Sequence, residues 1–177
     1  MKIPFYLLGL LLRNGSQHGY SLKQIVETRI ADFAKIKLPT IYYHLDKLHQ
    51  KGYVTKALDR EGSRPEKYVY SITDEGKAQF HTLLERQLHT DDTLEFSLDG
   101  VLYFGEHVED TELLSELRQR KDTLAHKLAA LRAHKDQVLA TVHPKGRRSS
   151  EAIFNHHIVH MEAELTWLNE TLKGFTP

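Results

Sequence analysis

Four side chains at helical spacing, Thr40, Tyr43, His44 and Lys47, bring hydroxyl, phenol, imidazole and ammonium groups to one surface. At about 100° per residue they gather opposite Leu38, Ile41, Leu45 and Leu48, so the apolar stripe faces a core and the polar cluster faces out. Such groups donate to and accept from base edges, and an ammonium pairs with phosphate. Tyr42 falls on the flank and is expected to be half-buried. Lys35 and Lys37 stand just before the cluster, and Arg64 and Lys67 follow in a polar loop, which puts positive charge on both sides of it. Residues of this kind bind phosphate without reading sequence. A plain solvated helix face shows the same pattern, and the segment that follows is what sets this one apart.

A second constellation is His156, His160 and Glu164, spaced four and four on one helical face. It could supply two nitrogens and one oxygen to zinc or nickel. It is not His-Glu-x-x-His, so the general base of a metalloprotease is missing. Exposed helix histidines are common, and the expectation is that no functional metal is held. The chain also lacks a phosphate-binding glycine loop, a Gly-x-Ser-x-Gly elbow and any cysteine. The reading is therefore of a non-enzyme without a cofactor.

The 177 residues, 40% hydrophobic and 27% charged, fit one compact domain or two small ones. Formal net charge is zero, yet residues 1–90 carry 14 basic and 9 acidic side chains whereas residues 91–177 carry 10 and 15. The first half prefers anions. The longest apolar run, Ile3 to Leu12, is too short for a bilayer, which needs about 20 residues. It also lacks the flanks of a signal peptide, so a cytoplasmic protein is expected, with no membrane partner.

The elements that must position the first cluster follow from hydrophobic period and turn residues. Pro4 suits a first helical turn, and Ile3, Leu7, Leu8, Leu11 and Leu12 make one helix face that ends at Asn14-Gly15. Leu22, Ile25, Val26, Ile30 and Phe33 make a second, from about His18 or Tyr20 to Ala31. Pro39 opens the third, and Gly52 is placed to close it in the left-handed region. Tyr53–Leu58 and Tyr68–Ile72 are rich in strand formers and flank a polar, Gly- and Pro-containing loop, the pattern of a hairpin. Thr73-Asp74-Glu75 then caps a fourth helix running towards Leu88. Three helices followed by a hairpin is the order of a winged helix-turn-helix, with the third helix entering the major groove.

Leu8-Gly9-Leu10-Leu11, His18-Gly19-Tyr20, the run from Pro39 to Leu48, Gly52-Tyr53-Val54 and the run from Arg64 to Gly76 occur in an order that resembles PadR-family transcriptional regulators. The resemblance covers about residues 3–80. It implies a dimeric DNA-binding regulator, most often a repressor, with Thr40, Tyr42 and Tyr43 on the recognition helix and Arg64 and Pro65 on the wing. Many relatives carry Gly immediately before Arg-Pro; here Ser63 stands there and Gly62 one residue earlier.

In the second half Phe154, Ile158, Met161, Leu165, Leu168 and Leu172 form an uninterrupted coiled-coil stripe. Leu114, Leu117, Lys121, Leu124, Leu128, Leu131, Lys135, Val138 and Val142 form another, with lysine at two seam positions. His143-Pro144-Lys145-Gly146 breaks the chain between them, and Ser149 or Ser150 is expected to cap the second helix. Lys145–Arg148 is expected to be a solvated basic turn. Helices of this kind pack on each other and on a partner's copy. Leu117, Leu124, Leu128, Leu131 and the whole stripe from Phe154 to Leu172 are thus the expected dimer contacts, and packing within one chain is the alternative. This half is similar to that of the longer, AphA-like branch of the same family.

Between the halves, Thr93–Gly105 is apolar and aromatic, most simply a connecting helix packed under the DNA-binding unit. The resemblance implies a small aromatic or phenolic effector, for which Phe96, Tyr103, Phe104 and Trp167 are the candidate pocket. The expected whole is mainly α with a small β-hairpin: a winged helix-turn-helix domain over 1–90 and a helical, coiled-coil-like dimerisation domain over 91–177. Its partners would be double-stranded DNA with a palindromic operator, a second copy and the effector. The competing reading is a helical protein-interaction adaptor or scaffold that does not bind DNA.

Overall fold

The computed structural model describes residues 2–59, 67–90 and 95–175. The chain divides into two compact units, Met1–Thr93 and Leu94–Pro177.

In the first unit α1 (Lys2–Asn14) ends on Gly15 in the left-handed region, as its apolar run and Asn-Gly stop require. Leu7, Leu8, Leu10 and Leu11 are buried, while Leu12, expected to face the core, is exposed. The buried arc is centred one residue earlier than the sequence reading placed it. The second helix is shorter and less regular than expected: α2 (Gly19–Ile25) passes into a π-helical turn, Val26–Ile30. Helix α3 (Leu38–Gln50) buries Ile41, Leu45 and Leu48 and starts with Pro39 in its first turn. It closes on Gly52 (φ 74°), with Gly52 N donating to His49 O and Tyr53 N to Leu48 O, the paired bonds of a left-handed cap.

Strands β2 (Val54–Asp59) and β3 (Lys67–Ile72) pair antiparallel from Val54↔Ile72 to Asp59↔Lys67, as the hairpin reading requires. A third strand went unread. The two-residue β1 (Gln17–His18) adds to β3 through Gln17↔Tyr70 and His18↔Val69, giving the order β1-β3-β2. Helix α4 (Asp74–Leu88) is capped by Thr73, whose Oγ1 accepts from Gly76 N at 3.0 Å and donates to Gly52 O at 2.7 Å. The core joins Leu7, Leu8, Leu11, Leu22, Val26, Ile41, Leu45, Val54 and Tyr70, with Phe5 and Phe80 stacked at its edge.

In the second unit α5 (Ser97–Tyr103) and a short 3-10 turn (Gly105–His107) precede two helices of 32 residues each, α6 (Asp110–Thr141) and α7 (Pro144–Phe175). Leu98 and Leu102 of α5 pack against Leu113, Leu117, Leu168 and Leu172, so this segment has its core partners within the second unit. Helix α7 begins earlier than the serine-cap reading placed it. His143 accepts from Lys145 N at ring Nδ1 and from Gly146 N at its carbonyl, so Pro144 opens the helix and Ser149 and Ser150 lie inside it. The basic cluster Lys145–Arg148 is accordingly the first turn of α7 rather than a loop, with Arg147 donating to Leu139 O. The residues of α6 that become buried are Leu113, Leu117, Leu128, Leu131 and Leu139, in place of Leu114 and Val138 at the two ends. No helix among the described residues is long and apolar enough to cross a membrane.

Candidate nucleic-acid interface

Burial of Ile41, Leu45 and Leu48 turns the opposite face of α3 outward. Tyr43 is 60% exposed and Lys47 is exposed, while Thr40 and His44 are half-buried beside them. The side chains organise one another. The rings of Tyr43 and His44 meet edge to face at 5.1 Å, and Lys47 Nζ lies 5.9 Å from the Tyr43 ring centre. Lys35 and Lys37 are exposed because the segment alternates, with Ala34 and Ile36 buried between them. Lys67 is exposed at the start of β3 rather than in the loop; Arg64 and Pro65 lie outside the described residues.

Tyr42 is 40% exposed, more open than a half-buried flank, and its ring lies against Gly19. A Cβ at Gly19 would come within 2.4 Å of that ring, so only glycine lets α2 and α3 approach this closely. Around Tyr42 an open concavity of about 450 Å³ is lined by His18, Tyr20, Ser21, Lys67 and Tyr68. His18 Nδ1 donates to Tyr68 O at 3.1 Å, and its Nε2 lies 3.3 Å from Asp59 Oδ2, so β1 carries this imidazole to the hairpin.

Behind the helix, Lys56 of β2 donates to Asp46 Oδ1 at 2.9 Å and stands over the rings of Tyr68 (4.3 Å) and Tyr70 (5.8 Å). The bond to Asp46 holds the Lys56 ammonium above its ordinary pKa, and burial pushes the Tyr70 phenol up. His49 Nδ1 donates to Val54 O at 3.0 Å. These contacts fix the pitch of α3 against the hairpin. His18, Tyr20, Lys56 and Tyr68 were not among the residues expected at the interface. The bonds of His18 to Tyr68 and of Lys56 to Asp46 span 50 and 10 residues, and only the His-Gly-Tyr triplet gave any signal.

In the second unit a cavity of about 410 Å³ is lined by Phe96, Leu98, Asp99, Leu102, Arg120, Ala163, Glu164 and Trp167. Phe96 and Trp167 therefore meet as expected. Tyr103 and Phe104 do not line it; both are exposed, stacked edge to face on each other at 4.9 Å, because α5 turns Leu98 and Leu102 inward instead. Arg120 Nε lies 3.5 Å from Glu164 Oε1 in the wall. Glu164 is thus engaged away from the histidines, although His156 and His160 do converge, Nε2 to Nε2 at 3.1 Å. Among the described residues no group of three or more His, Cys, Asp or Glu could hold a metal ion.

Of the expected dimer contacts, Leu117, Leu128, Leu131, Phe154, Leu168 and Leu172 are buried within one chain by the pairing of α6 with α7. Leu124, Ile158, Met161 and Leu165 stay half-buried. Arg132 pairs with Glu162 along the same seam. Lys135, one of the two seam lysines, donates to Asn155 Oδ1 at 2.7 Å, so an ammonium is carried there without burial.

The pattern of the Transcriptional regulator PadR-like family matches residues 7–82, and that of the Virulence activator alpha C-term matches residues 102–175. The Negative transcriptional regulator PadR of Bacillus subtilis is 25% identical over 178 residues, covering 97% of each chain. The crystal structure of that PadR in complex with operator DNA matches with a TM-score of 0.83 at 22% identity, covering 99% of this chain and all of the other. Its complex with p-coumaric acid matches at 0.75 and 21%, covering 98% and 94%. The Vibrio cholerae virulence activator AphA matches at 0.79 and 18%, covering 97% and 96%. These likenesses fall on a family of transcriptional regulators, not of enzymes, and on a winged-helix fold with long C-terminal helices. One family's pattern thus falls on the three-helix and hairpin unit and the other's on the paired long helices, so the chain is similar to PadR-like transcriptional regulators in its first half and to the virulence-activator C-terminal region in its second.

Proposed function

We propose that this protein is a PadR-like transcriptional regulator that acts in the cytoplasm as a homodimeric repressor and binds a palindromic operator. Thr40, Tyr42, Tyr43 and His44 face the major groove, and the Lys47 ammonium pairs with a phosphate at its edge. Lys35, Lys37, Arg64 and Lys67 contact the phosphates beside it. The observation that carries this reading is the outward cluster of Tyr43 and Lys47 opposite the buried Ile41, Leu45 and Leu48. A similar fold solved on operator DNA supports it, and a relative named as a negative regulator supports repression. Two copies are needed because one short helix reads only a few base pairs, whereas a pair about 34 Å apart reads two half-sites. Leu124, Ile158, Met161 and Leu165, half-buried on one chain, have apolar surface left for the second copy.

The cavity bounded by Phe96, Trp167 and Arg120 suits a small aromatic effector, and the p-coumaric acid complex of the Bacillus relative supports that class. Such a ligand relieves repression only if it binds the DNA-free form more tightly. Gel retardation on the protein's own promoter region tests the proposal. Retardation weakened by salt and by added phenolic acid is expected; no salt-sensitive retardation on any fragment would favour the protein-interaction scaffold instead.

A further inference from the structure

We propose that His156 and His160 form a chelating site for one divalent transition-metal ion of the zinc, nickel or copper class, complete within a single α7 helix. The site is independent of the DNA-binding reading. One turn of helix separates the two residues, and both rings turn the same nitrogen inward, Nε2 to Nε2 at 3.1 Å. An ion about 2.05 Å from each of two imidazole nitrogens holds them about 3.3 Å apart at a tetrahedral angle and about 2.9 Å apart at a right angle. The observed spacing falls between these values, so an ion enters by replacing the bond between the rings, with little movement of the helix.

The surroundings leave the site open and its donors free of competing charge. Both rings are exposed; of the side chains one turn to either side, Ala152 and Ala163 are too small to cover them and Glu164 is turned to Arg120. Cations of α6 that reach this stretch of α7 are already engaged: Arg120 with Glu164, Arg132 with Glu162 and Lys135 with Asn155. Engagement of Glu164 leaves the site with two protein ligands, so water fills the remaining positions and a borderline metal is selected over calcium or magnesium.

The test uses the full-length chain without an affinity tag, titrated with Zn2+ by calorimetry. A second readout is quenching of the single tryptophan by Cu2+, since Trp167 lies seven residues, about 10.5 Å along the axis, from His160. One ion per chain is expected. His156→Ala or His160→Ala should each weaken binding at least tenfold because the second imidazole no longer acts intramolecularly. The double variant should lose the quenching, and His126→Ala on α6 should change neither. Alanine favours helix, so circular dichroism should show the variants folded. Unchanged Zn2+ binding in the double variant, no saturable binding to the wild-type chain, or one ion per two chains would overturn the proposal.

Discussion

Lys56 is the residue on which the presentation of α3 turns: it ties Asp46 on the helix to the Tyr68 and Tyr70 rings on the hairpin. Its ammonium titrates above the ordinary 10.5, chiefly through the bond to Asp46. The stabilisation is therefore complete below that ordinary value and fades only as the pH climbs through the raised one. Lys56→Met should cost about 1 kcal/mol in urea unfolding, by the same amount at pH 6 and pH 9, with the gap to wild type closing only in stronger alkali. A gap that closes between pH 7 and 9 would contradict this. The sequence shows which residues of α3 face out, because Ile41, Leu45 and Leu48 leave one choice of rotation. It does not show Lys56, His18 or Tyr68. Their roles arise from pairing between strands and from a helix–strand contact, neither of which leaves a period in the chain.

The long helices are legible as elements but not in detail. Their stripes predicted two helices with a break over His143–Gly146; both helices are present, and the break is confined to Val142 and His143. The buried set of α6, with Leu113 and Leu139 at its ends, departs from a strict heptad because a straight helix of 3.6 residues per turn drifts about 20° every seven residues. The strand β1 was invisible because two residues, Gln17 and His18, carry no alternation to read. Burial also separates two roles within the α7 stripe. Leu168, fully buried against α6, is a folding residue, and Leu168→Ala should cost about 2–5 kcal/mol of stability. Leu165, half-buried, has surface left for a second copy. Leu165→Asp should abolish dimer and operator binding together, since a carboxylate in that seam would have no partner. A dimer unchanged by that substitution in sedimentation would exclude this stripe as the interface.

Across the whole molecule the charges sort by half, with the basic excess on the unit that carries α3 and the acidic excess on the unit that carries the cavity. The cavity was legible in part: Phe96 and Trp167 line it, but Leu102 and Arg120 take the places expected of Tyr103 and Phe104. Sequence spacing over a seven-residue helix did not reveal which side faced in. If an anionic aromatic effector binds there, Arg120→Gln should raise the concentration of phenolic acid that releases DNA at least tenfold. Operator affinity without effector should stay unchanged, as measured by anisotropy. The most direct test of the central claim is operator affinity against salt for the wild-type chain, Tyr43→Ala and Lys47→Ala. A linear fall of log affinity with log salt is predicted for the wild type. Lys47→Ala should lower its slope by about one, and Tyr43→Ala should lose about 1–3 kcal/mol of discrimination between operator and unrelated DNA. Both variants should remain dimers. Wild-type affinity and slope in both would mean that another surface grips the duplex.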